Sequence, residues 1–168
     1  MKTDKKYFLY ILIALCLLYI FWPHSFSNIM PGFYDEPIVK CEAVYCQQEV
    51  GDNNKPKYTT IEKEFEIGSE DYNKLMELLE SATYRKQFVA VLLGGKRNAY
   101  SIPYPYAEIV FYQNNKMFEF SLFSRYLPAG PARDKYDYSP KGGKKFHTEV
   151  IEFIRTHGVV IDEEVKQY

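Results

Sequence analysis

The apolar stretch from Tyr7 to Trp22 constrains this chain more than any other feature. It holds 16 consecutive apolar or aromatic residues, and as an α-helix it would be about 24 Å long at 1.5 Å per residue. That is shorter than a typical transmembrane helix of about 20 residues. It is also longer than the core of a typical signal peptide, about 7 to 15 residues. Length alone therefore allows either a permanent anchor or a cleaved leader.

The composition of the stretch favours an anchor. Its aromatic residues cluster toward the two ends, where amphipathic rings prefer the boundary between membrane and water; they are Tyr7, Tyr10, Tyr19, Phe21 and Trp22. Against this, Ser25 and Ser27 have the spacing of small residues that a signal peptidase requires. Cleavage before Asn28, which would release a secreted protein, is therefore the alternative.

The flanking charges predict the orientation of the chain. Lys2, Lys5 and Lys6 precede the apolar stretch, and no Lys or Arg follows it until Lys40. The positive-inside rule then places the N-terminus in the cytoplasm and the remaining chain outside it. We expect a single-pass protein of a bacterial cell envelope, with residues 1–6 cytoplasmic, 7–22 as a transmembrane signal anchor and 23–37 as a tether.

The rest of the chain is expected to form one folded domain. Hydrophobic residues make up 46% of the sequence and aromatic residues 17%, enough apolar surface to offset the entropy of ordering the chain. Without the charges of the first six residues, 18 basic residues face 21 acidic ones. A nucleic-acid-binding protein normally shows a basic excess, so this class is excluded. We predict an extracytoplasmic domain over residues 38–161 and an acidic tail over 162–168.

The pattern of apolar residues predicts an α+β fold. Two β-rich segments surround the turn-forming sequence GDNNKPK, and Ile61, Phe65 and Ile67 share one face of the second. Two amphipathic helices follow, EDYNKLMELLESA after a capping Ser69 and FHTEVIEFIRTH before Gly158. Gly158 is expected to end the second helix in the left-handed conformation. We expect an antiparallel sheet of about four to five strands packed with these two helices, preceded by the N-terminal transmembrane helix.

The segment YAEIVFYQNNKMFEFSLF specifies a hairpin with a defined register. The Asn114–Asn115 pair suits a two-residue turn, which sets Gln113 opposite Lys116. The same register brings three apolar pairs onto one face, namely Phe111 with Phe118, Ile109 with Phe120, and Ala107 with Leu122. Turn chemistry and hydrophobic alternation agree, so a shift of the register would be costly.

Cys41 and Cys46 are candidates for a disulfide because an oxidising compartment favours one. In a straight strand, however, five residues span roughly 16 Å and place the two side chains on opposite faces. A disulfide needs Cα atoms about 4.4 to 6.8 Å apart. Two separate buried thiols are the preferred interpretation, and a disulfide would require a turn or bulge between them.

The long loop from Ser124 to Lys145 is the predicted contact surface, since structureless connections of this length often bind ligands. Tyr126, Tyr136 and Tyr138 combine apolar area with a hydroxyl group, which suits protein interfaces. Lys141 adds a positive charge. The alternative is that these rings cover an edge of the sheet.

No sequence motif indicates catalysis, so no catalytic, cofactor-binding or metal-binding residue is assigned and no cofactor is expected. The Gly-Lys pairs at Gly95 and Gly143 lack the residues of a phosphate-binding loop, and His147 and His157 do not have zinc-ligand spacing. We expect the domain to bind a protein partner, for example in toxin neutralisation or envelope assembly. The alternative is a secreted or envelope hydrolase whose site forms only in three dimensions, with His147 or a cysteine beside a carboxylate in a deep pocket.

Overall fold

A computed structural model of the chain describes residues 2–50, 56–86, 105–123, 129–131 and 138–165. The helices in these ranges are α1 (Lys2–Ile20), α2 (Phe26–Ile29), α3 (Glu70–Ser81) and α4 (Lys144–His157). The strands are β1 (Lys40–Val50), β2 (Pro56–Phe65), β3 (Tyr84–Lys86), β4 (Tyr106–Tyr112), β5 (Met117–Phe123), β6 (Ala129–Pro131), β7 (Tyr138–Pro140) and β8 (Val159–Val165).

The strands form one antiparallel sheet with the order β3-β7-β6-β5-β4-β1-β2-β8. Five strands that are neighbours in the sheet are each seven or more residues long; in spatial order they are β5, β4, β1, β2 and β8. They correspond to the predicted four to five strands, and the α+β class is confirmed. Three strands of three residues each, β3, β6 and β7, extend one side of the sheet within the described residues. Such short strands carry too little alternation to be recognised in a sequence.

The predicted register of the β4–β5 hairpin is confirmed. Ile109 faces Phe120 and Ala107 faces Leu122 across the two strands, and all four side chains are fully buried. The Gln113 N–H donates to the Lys116 carbonyl over 2.9 Å, which closes the turn where it was expected.

The two strands on either side of β1 also follow the alternating pattern. β1 pairs with β2 and with β4, and Ile61 and Phe65 lie in the core as predicted. Ile67 does not, since β2 ends at Phe65 and the Ile67 side chain is exposed. The chain from Val159 to Val165 pairs with β2 as an edge strand, so the sheet continues beyond the predicted domain boundary at residue 161.

Both predicted amphipathic helices pack on one face of the sheet. Ser69 caps α3, its hydroxyl accepting from the Tyr72 N–H over 3.2 Å. The buried side chains of α3 are Leu75, Met76 and Leu79, and those of α4 are Phe146, His147, Val150, Phe153 and Ile154. The main core therefore lies between these helices and the sheet.

Gly158 ends α4 as predicted, but the prediction that it adopts the left-handed conformation is wrong. Gly158 has φ −89° and extended backbone, not the left-handed conformation. A side chain here would crowd its neighbours, since a Cβ atom would lie 2.8 Å from the Ile154 carbonyl oxygen and would also meet Ile61. Close approach of α4 to β2, and not backbone handedness, explains this glycine.

Residues 23–37 are not the irregular tether that was expected. The His24 backbone forms a bridge with Tyr84 through hydrogen bonds of 2.7 and 2.8 Å, and α2 follows at once. Four apolar side chains of the segment are buried in the core, namely Phe26, Ile29, Met30 and Phe33. Their spacing of three, one and three residues resembles one face of a helix, and the surrounding Pro and Ser residues concealed it.

α1 differs from every other described helix because none of its described side chains lies in the core. Its apolar residues from Tyr7 to Tyr19 are between 46% and 85% exposed where the structure gives a value. The helix ends at Ile20, two residues before the predicted end of the anchor. Among the described residues, no helix has the length and apolar character needed to cross a bilayer. The described structure thus does not support the predicted transmembrane helix.

Candidate functional site

A groove between residues 33–38 and α3 forms a concave part of the described surface. Its volume is about 840 Å³, within the range of sites that bind small ligands or a few peptide side chains. We call it the α3 groove. Its lining residues are Phe33, Tyr34, Asp35, Glu36, Pro37 and Ile38 on one wall, and Tyr72, Asn73, Met76, Glu77, Glu80 and Ser81 on the other.

The first wall is held in place by Gln113. The side-chain amide nitrogen of this buried residue donates to the carbonyls of Phe33 and Glu36, each over 2.8 Å. Gly32 makes the preceding turn with φ +83°, a conformation that other residues rarely adopt. Lys116, from the β4–β5 turn, lies 3.8 Å from the Asp35 carboxylate. The hairpin thus fixes the conformation of a segment that is distant in sequence.

The second wall is one side of α3. Met76 contributes a largely buried thioether at the base, and Tyr72 is half-buried next to it. Glu77 and Glu80 are exposed side chains that line the groove. The Tyr34 hydroxyl donates a hydrogen bond to the Glu80 carboxylate. This bond joins the two walls, so groups on both lie within reach of one ligand.

The groove has a strongly acidic rim. Four of its lining residues are carboxylates, Asp35, Glu36, Glu77 and Glu80, and none is Lys, Arg or His. Burial, and then the hydrogen bond to Glu80, raises the pKa of Tyr34 well above its ordinary value of 10.0. Tyr34 therefore remains a neutral hydrogen-bond donor at physiological pH. The groove can attract a cation, and it has no basic group with which to attract an anion.

Two of the four residues predicted to contact a partner, Tyr138 and Lys141, belong to the part of the chain that the structure describes. Tyr126 and Tyr136 lie outside the described residues. Tyr138 is only 6% exposed and belongs to the core, packing edge-on against His24 with 5.8 Å between ring centroids. Tyr138 is therefore not exposed for contact with a partner in the described structure. Lys141 is exposed in the turn before α4, and its backbone N–H donates to the Thr83 carbonyl over 2.6 Å.

Cys41 and Cys46 are both free thiols in this structure. They lie on opposite faces of β1, whose pairing with β2 continues without a register shift between them, so the turn that a disulfide would need is missing. Cys41 is fully buried, and burial raises its pKa to about 12. The Cys46 thiol lies 3.8 Å from the Thr60 hydroxyl. A thiol as buried and protonated as that of Cys41 is a poor nucleophile.

The deep pocket required by the hydrolase alternative is not the α3 groove, whose lining includes neither His nor Cys. His147 is 2% exposed, and its Nδ1 lies 3.2 Å from the Gly143 carbonyl oxygen. His157 is near a carboxylate, with 3.7 Å between its Nε2 and Asp71. Lys63 approaches the other oxygen of the same carboxylate to 3.2 Å. The His157 pair is thus part of a surface charge network that links α3, α4 and β2.

Comparison of the chain with protein-family models, with curated proteins and with solved structures finds no match. Geometry is therefore the basis of the functional assignment. The sequence does not reveal the α3 groove, because the Pro and Ser residues of 23–37 predict a tether where the first wall lies. The signals that point to it are the apolar spacing from Phe26 to Phe33 and the adjacent Tyr34-Asp35-Glu36.

Proposed function

We propose that the protein is a membrane-attached binding protein, in which α1 inserts into a membrane and the α+β domain binds a protein partner outside the cytoplasm. The observation that carries the proposal is the exposed apolar surface of α1. A helix that is apolar on all sides requires burial in a protein or in lipid, and the domain buries its own core without any described side chain of α1.

The apolar stretch is somewhat shorter than the hydrocarbon core of a bilayer. With Phe21 and Trp22 it would reach about 24 Å as a helix, against a hydrocarbon core of about 30 Å. Local thinning of the bilayer and the flanking Lys and aromatic side chains accommodate a mismatch of this size at modest cost. The N-terminal lysines favour a cytoplasmic N-terminus.

Retention of α1 is favoured over cleavage before Asn28. Cleavage there would remove Phe26 from the core. The centroid of its ring lies 5.1 Å from that of Phe33 and 5.6 Å from that of Phe120. Cleavage would also remove the His24 bridge to Tyr84. Both interactions are internal to the domain, so the residues before Asn28 contribute to its stability.

A binding role, and not a catalytic one, suits the domain. The α3 groove combines an apolar base with polar groups on its rim, the usual composition of a binding site. Its acidic groups lie beside aromatic rings, with no nucleophilic cysteine or histidine base among the lining residues. This arrangement can recognise a partner, and it lacks the paired nucleophile and base of covalent catalysis.

Membrane attachment is tested by fractionating cells that express the full chain with a C-terminal tag. The variant Leu9→Asp/Ile13→Asp introduces two charges into α1, each costing about 2.5 to 3.5 kcal/mol in a bilayer centre. We expect the parent chain in the membrane fraction and this variant largely outside it. The control Thr148→Asp/Thr156→Asp adds the same charges to exposed positions of α4 and should fractionate as the parent does. Equal fractionation of all three would contradict insertion of α1.

Partner binding is tested by chemical cross-linking of intact cells, followed by purification through the tag and mass spectrometry. We expect one cross-linked protein that is competed away by an untagged copy of the chain. Absence of any competed adduct would contradict the binding role.

A further inference from the structure

We propose that the α3 groove binds a segment of the partner protein in which Lys or Arg side chains adjoin apolar ones. The inference rests on the proposed function, because it specifies the partner chemistry that the binding domain recognises.

Charge complementarity selects a cationic occupant. Asp35, Glu36, Glu77 and Glu80 line one groove; among the described residues, Lys116 approaches one of these carboxylates, Asp35, at 3.8 Å. Carboxylates that share a concave surface focus a negative potential and favour association with positive groups. An acidic peptide or a phosphate group would meet repulsion from both walls.

The aromatic rings select a cation that is attached to apolar chain. Tyr34 and Tyr72 line the groove, and the faces of aromatic rings attract Lys and Arg side chains through cation–π interactions. Met76 and Ile38 add apolar surface at the base, and the flexible thioether of methionine adapts to irregular side chains. The methylene stem of a Lys or Arg, and an apolar neighbour along the peptide, would bury against these groups.

The spacing of the walls allows one segment to contact both. The hydrogen bond from Tyr34 to Glu80 crosses the groove, so a guanidinium or ammonium group near that point has an aromatic ring and a carboxylate within reach. Gln113 holds the first wall through two hydrogen bonds of 2.8 Å. The wall is thus preorganised, which reduces the entropy lost on binding.

The inference is tested with a phage-displayed library of random dodecapeptides, selected against the full chain in lipid nanodiscs. We expect enrichment of peptides in which Lys or Arg adjoins aromatic or aliphatic residues. A synthetic copy of the most enriched peptide should bind the parent chain. It should bind the variant Glu77→Gln/Glu80→Gln at least about tenfold more weakly, and its affinity for the parent should fall with added salt.

The matched control is Glu149→Gln/Glu152→Gln. These two carboxylates have the same spacing on the exposed side of α4, so the control makes the same change in net charge on a helix away from the groove. It should leave the affinity of the peptide unchanged. Equal losses in both variants would show a general charge effect and would overturn the groove assignment.

Two other outcomes would also overturn the inference. One is a set of selected peptides without basic enrichment, or with unchanged affinity for Glu77→Gln/Glu80→Gln. The other is binding of free arginine as tightly as the peptide, which would indicate a small-molecule site. The cross-linking experiment separates these failures from failure of the proposed function. A competed partner adduct that persists in the groove variant preserves partner binding and rejects this site.

Discussion

Gly158 lies where α4 ends and the chain turns into β8, and its missing side chain lets the two elements approach β2. We expect Gly158→Ala to destabilise the domain by about 1 to 3 kcal/mol, the usual cost of overpacking, because the new Cβ atom would crowd the Ile154 carbonyl and the Ile61 side chain. Urea unfolding of the full chain in detergent measures this loss. Thr156→Ala, at an exposed position two residues earlier, is the control, and an equal effect of both changes would refute the crowding explanation.

Cys41 makes the stability of the domain depend on alkaline pH. Burial raises its pKa from 9.0 to about 12. Below pH 9 the thiol is therefore neutral in both the folded and the unfolded chain, and its full contribution to stability is present. Between pH 9 and 12 the unfolded chain loses the proton and the folded chain keeps it, so stability falls as pH rises. The slope from this one group reaches at most about 1.4 kcal/mol per pH unit.

The measurement is the free energy of unfolding of the full chain at several pH values from 7 to 11. Cys41→Ala should reduce the slope above pH 9. Cys16→Ala, which alters an exposed thiol of α1, should not. If the slope were the same in Cys41→Ala and in the parent chain, other groups would account for the alkaline effect. Tyr84, whose pKa burial also raises, would then be the next candidate.

At the scale of elements, the β4–β5 hairpin and residues 33–38 show what a sequence does and does not reveal. The hairpin register was predictable because the Asn114–Asn115 turn and the alternation on both sides are local signals that agree. The position of residues 33–36 depends on hydrogen bonds to Gln113, which is about 80 residues away in sequence. No local pattern reports that contact. The apolar stripe of α3 is a local signal, whereas the wall that faces the helix across the groove depends on this distant contact.

Gln113 therefore couples one hairpin to one wall of the α3 groove. Gln113→Met keeps a similar side-chain volume and removes both donated hydrogen bonds, leaving two carbonyls without this partner. We expect a loss of about 1 to 3 kcal/mol and faster amide hydrogen exchange in residues 33–38. Exchange followed by mass spectrometry measures the local effect. Gln48→Met, on the exposed part of β1, should leave that exchange unchanged, and unchanged exchange in Gln113→Met would refute the coupling.

At the scale of the whole molecule, the folded domain begins earlier in the chain than the sequence indicates. The chain from His24 to Phe33 joins the core through α2 and the bridge to Tyr84, whereas the described side chains of α1 do not. A prediction of anchor, tether and domain assumed that Pro and Ser residues separate folded units. The buried phenylalanines of the segment outweigh those breakers, because each contributes the burial of a large apolar side chain.

This boundary gives opposite expectations for two shortened chains. A chain beginning at Pro23 keeps Phe26 and His24 and should unfold with nearly the free energy of the full-length domain. A chain beginning at Asn28, the product of the alternative cleavage, loses the Phe26 ring from its contacts with Phe33 and Phe120.

We expect the Asn28 chain to be less stable than the Pro23 chain by at least about 3 kcal/mol, as for removal of a buried phenylalanine. Urea unfolding, monitored by far-UV circular dichroism, measures the free energy of unfolding of the two chains. Phe26→Ala in the Pro23 chain should reproduce most of the difference. Equal stability of the two chains would show that residues 23–27 are a dispensable tether, and it would remove the structural argument against cleavage before Asn28.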